Sequence, residues 1–107
     1  MPPPELEPLR RARIGILETV VTVAKGLLSQ NLSNEKFKLF IKFATDQKII
    51  NADKLAEMGR VDRTTASRWI NGQSAPNSFA QEAIVTQIAE EASKLAHDLK
   101  TTSAITN

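Results

Sequence analysis

Thr64, Ser67, Arg68 and Asn71 recur at i, i+3, i+4 and i+7, so a helix through them carries two hydroxyls, a guanidinium and an amide on one side. Those groups can donate to guanine and adenine edges or to phosphate oxygens, and no carboxylate shares the stripe. Ala66, Trp69 and Ile70 fall on the opposite side, so one side of the helix packs and the other is free to read. Asp62 offers a side-chain oxygen to the orphan N–H groups of a helix beginning near Arg63, and Gly72 suits the left-handed cap that ends it. Upstream, Asn51 can cap a short helix from Ala52 to Met58. Within it, Ala56 is small where two crossing helices would touch, and Val61 supplies an apolar plug at the turn.

The run Val61-Asp62-Arg63-Thr64-Thr65-Ala66-Ser67-Arg68-Trp69, followed by Gly72 and Pro76, resembles the helix-turn-helix of the Cro and lambda-repressor-like (XRE-like) DNA-binding family over roughly residues 50–90. The chain departs from the family pattern twice. Glycine comes one place early, at Gly59, with Arg60 before Val61. Either Arg60 adopts a left-handed conformation, at about 1 kcal/mol, or the turn is rebuilt around Gly59. Ala66 stands where the family buries Ile or Val, and the bulk of Trp69 would compensate. The resemblance implies duplex DNA as partner, with Arg63, Thr64, Ser67 and Arg68 probing base edges in the major groove. It also implies Lys54, Gln73, Ser74 and Asn77 on phosphates, assisted by the helix N-terminus at Asn51 and Ala52. The expected function is then a sequence-specific transcriptional regulator occupying an operator with two half-sites.

Other chemistries find little in the sequence. His97 is the only histidine and sits far from any candidate nucleophile, while the adjacent Glu90 and Glu91 point in different directions around a helix. There are no cysteines, no phosphate-cradling glycine loop and no metal-ligand spacing, so neither enzyme activity nor a metal or cofactor is expected. Trp69 shares its face with Ala66 and Ile70, which assigns it to a core rather than to base stacking. The absence of tyrosine argues against an RNA-binding sheet of stacked rings.

The elements that must position the reading face are all helical, giving an all-α expectation of about five helices. Four prolines within residues 1–8 read as a flexible arm. A single helical domain follows over residues 9–100, with the helix-turn-helix at about 51–72 and a disordered tail over 101–107. Leu9 to Gln30 is long and apolar, with Leu9, Ile16, Val20, Val23 and Leu27 on one stripe and Ile14, Leu17, Val21, Ala24 and Leu28 on another. Asn31 to Asn34 interrupts, and Ser33 or Asn34 caps a helix to about Gln47 whose Phe37, Phe40, Ile41 and Ala44 face a core. Asn77 or Ser78 caps a last, long helix from Phe79 to Leu99, with Val85, Ile88, Ala92, Leu95 and Leu99 as its apolar seam.

Between Lys36 and Arg68 the basic residues outnumber Asp46, Asp53, Glu57 and Asp62 two to one. After Trp69 the balance reverses, with Lys94 and Lys100 against Glu82, Glu90, Glu91 and Asp98. A duplex-facing middle and a protein-facing end follow. The two apolar stripes of the first helix exceed what one neighbour would cover, so Ile16, Val20, Val23 and Leu27 are expected to pair two copies into a homodimer. Met1-Pro2-Pro3-Pro4-Glu5 lacks the pattern of a signal peptide and no run approaches a bilayer span. The expectation is therefore no membrane association and a cytoplasmic, nucleoid-associated location. The alternatives are a helical interaction module, antitoxin-like or adaptor, in which the motif is vestigial, or a DNA-binding accessory of replication or recombination.

Overall fold

The computed structural model describes residues 6–30 and 32–105, with side chains through residue 101. Five helices follow one another: α1 (Leu6–Ser29), α2 (Asn34–Asp46), α3 (Ala52–Gly59), α4 (Arg63–Ile70) and α5 (Ser78–Ile105). No strand occurs among the described residues. The long α1 and α5 run antiparallel against each other. Arg10 donates to the Leu99 carbonyl at 3.2 Å at one end. At the other, Gln81 of α5 donates to Asn34 Oδ1, just past the end of α1. α2 and α3 pack on α5 and α4 packs on α2 and α3, giving an elongated molecule of 47 × 29 × 19 Å.

Local signals set most of the helix ends. Ser33, Asn51, Asp62 and Asn77 each accept a backbone N–H three residues on, at Lys36, Lys54, Thr65 and Ala80, satisfying donors a helix start would otherwise leave unpaired. Three helices close with the same Schellman pairing. After α4, Gly72 takes φ 75°, its N–H meets the Trp69 carbonyl, and Gln73 N–H meets Arg68. After α2 and α3 the left-handed residues are Lys48 (φ 59°) and Arg60 (φ 54°), where a side chain costs energy that glycine would not. Arg60 therefore takes the left-handed conformation, and the turn is not rebuilt around Gly59.

Gly59 is needed for a different reason. A Cβ built there would lie 2.6 Å from Cζ3 and 2.9 Å from Cη2 of Trp69, so the indole packs directly on the α3 backbone. The ring, 5% exposed, fills the space beside the small Ala66 and joins a core built from Leu17, Phe37, Ile41, Leu55, Ile84 and Ile88. The one buried polar side chain among the described residues, Gln81, donates to Asn34 Oδ1 and to the Pro76 carbonyl, tying the loop after α4 to α2 and α5.

Several expected boundaries and faces differ. Leu6, Glu7 and Pro8 belong to the first turn of α1 rather than to a flexible arm. Pro8 is tolerated there because the first N–H groups of a helix have no partner to lose, and Glu7 suits the positive end of the dipole. Residues 1–5 of that arm, and Asn31 in the expected break, lie outside the described residues. Thr101 to Ile105 continue α5 instead of forming a tail, and residues 106–107 lie outside the description.

The buried face of α1 is Ile14, Leu17, Val20 and Ala24, which takes members from both sequence stripes. Val20, expected at a dimer surface, is fully buried within one chain. Ile16 and Leu27 are half-buried and Val23 remains 41% exposed. The physical reason is that α5 and α2 approach α1 from different sides, and the residue between their two contact lines is covered by both. Val23 and Leu27 instead line an open apolar groove of about 350 Å3 between α1 and α2, with Leu39, Phe40 and Phe43 on its other wall.

Candidate nucleic-acid interface

Helix α4 is held from beneath and bare above. Ala66 and Trp69 are buried, whereas Arg63, Thr64, Arg68 and Asn71 are exposed and Ser67 is half-buried. Eight helical residues span about 12 Å, comparable with the width of a B-form major groove. Asp62 accepts the Thr65 backbone N–H at 2.7 Å. That bond first, then the Thr65 hydroxyl, with the field of Arg68 adding to both, holds the Asp62 carboxyl below the usual carboxylate range. The sequence stripe through Arg68 carries no carboxylate, yet the cap places one within its electrostatic reach.

The long side chain of Arg63, at the start of α4, reaches back to the first turn of α3, where its Nε lies 3.5 Å from Asp53 Oδ1. Asn51 and Ala52 precede Asp53 at the start of α3. Asn51 spends its Oδ1 on the cap of α3, and Ala52 is half-buried. Asn77 likewise caps α5 through its Oδ1. Gln73 is exposed and Ser74 half-buried in the loop that leaves α4.

Lys54, expected to contact phosphate, is paired in the free protein. Its ammonium lies 2.5 Å from Glu91 Oε1 on α5, so it is directed along the α3–α5 seam and its charge is already matched. The neighbouring Asp53 turns the other way, toward α4, because successive helical residues point about 100° apart. On the same seam Gln87 donates to the Met58 carbonyl, satisfying one acceptor at the end of α3.

Sequence reasoning missed two cations. Lys48 and Arg60 stand exposed at the turns before and after α3, and neither has an ion pair among the described residues. The signal was present as a long basic residue within two positions of a helix end, where glycine is the unstrained choice for the left-handed position. Comparison of the chain with family models, curated proteins and solved structures returns no match. Among the described residues, no helix is long and apolar enough to cross a membrane.

Proposed function

We propose that α3 and α4 act as a helix-turn-helix that reads duplex DNA in a sequence-specific manner, and that the protein is a transcriptional regulator of the Cro and lambda-repressor-like kind. The observation that carries this reading is the division of α4. Trp69 and Ala66 anchor one face in the core while Thr64 and Arg68 stand exposed on the other and Arg63 is exposed at its flank, the arrangement a helix needs to be pushed rigidly into a groove. In this reading Arg63, Thr64, Ser67 and Arg68 address base edges. Asn51, Ala52, Gln73, Ser74 and Asn77 flank the backbone, with Arg60 and Lys48 in place of Lys54 as the free cations.

Two copies would match an operator with two half-sites. Their contact is the α1–α2 groove, because Leu39, 70% exposed at its edge, is a knob beside its own hole: a two-fold axis lets each copy seat Leu39 between Val23, Leu27 and Phe43 of the other. That same exposed groove favours the second reading, a helical interaction module that grips another protein.

Selection of bound sites from random duplexes, followed by salt-titrated affinities, separates the two. A duplex reader yields a preferred sequence and loses affinity linearly with log salt. Arg68→Ala should then weaken the selected site by about 1–3 kcal/mol and random duplex much less. Failure to enrich any sequence, with no salt-dependent binding, leaves the interaction module standing.

A further inference from the structure

We propose that Asp53 is a positioning residue for Arg63, turning a cation that could rest on any phosphate into one that addresses a base. This rests on α4 being the duplex-facing helix. The two side chains come from different helices, ten positions apart, and meet through Asp53 Oδ1 and Arg63 Nε at 3.5 Å while remaining 71% and 74% exposed. An exposed ion pair of this kind adds little to folding stability, and the same small energy limits it to biasing the guanidinium rather than fixing it.

The contact atom is informative. The carboxylate lies at Nε, and the Nη pair has no hydrogen bond among the described residues, while two parallel N–H groups are what meet O6 and N7 of guanine. A side chain biased toward one orientation loses less freedom on binding. The carboxylate also cancels most of the guanidinium's charge at a distance, which weakens its pull on phosphates without removing its directional hydrogen bonds. Both effects act in the same direction, toward a larger ratio of site-specific to random binding. Lys48 and Arg60 supply the contrast, since they carry full, unmatched charge at the flanking turns.

A double-mutant cycle tests it, using wild type, Asp53→Asn, Arg63→Ala and the double variant, each titrated with the selected site and with random duplex over a salt series. Asp53→Asn should bind random duplex more tightly and with a steeper salt dependence, while its ratio of site to random affinity falls by about two- to fivefold, within what an exposed ion pair can supply. In the Arg63→Ala background the same substitution should leave that ratio unchanged. An unaltered ratio in Asp53→Asn, or an equal fall without Arg63, overturns the proposal while leaving duplex reading intact. A wild type that fails to discriminate removes both. Thermal melts by circular dichroism confirm that each variant is folded, and Asp53→Ser, which keeps a good helix-start residue, replaces any that is not.

Discussion

Replacing Gly59 by alanine puts the packing of Trp69 to a direct test. At an ordinary helical position this change would gain up to about 1 kcal/mol in helix propensity. Here the new methyl would sit 2.6 Å and 2.9 Å from two indole carbons, against the 3.5–4.0 Å of a relaxed carbon contact, with Ile84 Cδ1 at 3.5 Å behind them. The ring must retreat by about an ångström, but it is 5% exposed and enclosed by core side chains, and forcing a methyl into such a site costs about 1–3 kcal/mol. Because Gly59 is the last residue of α3, only part of the propensity gain is realised. The net expectation is a loss of about 1–2 kcal/mol, or roughly 5–15 °C in midpoint for a domain of this size. Urea unfolding followed by circular dichroism measures the loss, and the emission of Trp69, the sole tryptophan, reports the ring itself. Trp69→Phe, lacking the two clashing atoms, should be less harmed by Gly59→Ala than wild type is. A Gly59→Ala protein as stable as wild type with unchanged emission would show that the indole does not lie on the α3 backbone.

At the next residue the sign reverses: Arg60→Gly should raise stability by about 0.5–1 kcal/mol in denaturant unfolding by relieving the left-handed strain, and should lower duplex affinity at low salt. Val20→Glu should unfold the single chain, since the charge would have no partner in the α1–α5 core. Leu39→Glu should convert a dimer to a monomer in sedimentation equilibrium, keep the fold, and melt at a midpoint that no longer depends on protein concentration. The folded-state pKa of Asp62 is depressed, so its contribution to stability is complete above the ordinary aspartate value, roughly 3.9, and is lost as pH falls through the depressed value. Asp62→Asn, which can still cap α4, should flatten that acid limb in pH-dependent melts without abolishing the helix.

Much of the helical framework is legible in the chain because it depends on groups three or four residues apart. Asn51, Asp62 and Asn77 cap the helices they precede, Gly72 takes the left-handed position after α4, and Trp69 turns inward with Ala66, all from local chemistry and period. The exposed face of α4 follows from the same period. Tertiary structure decided what depends on neighbours distant in sequence. Apolar residues occupy too wide an arc of α1 for periodicity to say which are covered, and only the positions of α5 and α2 bury Val20 and leave Val23 at an open groove. Lys54 reads as a free cation until Glu91, thirty-seven residues away, is brought beside it, and Asp53 counts only toward the charge balance until Arg63 reaches across to it. The displaced glycine is the clearest case. Whether Gly59 or Arg60 bends the chain cannot be told from backbone propensity, because the answer lies in an indole ring from the next helix that needs the space a side chain at residue 59 would occupy.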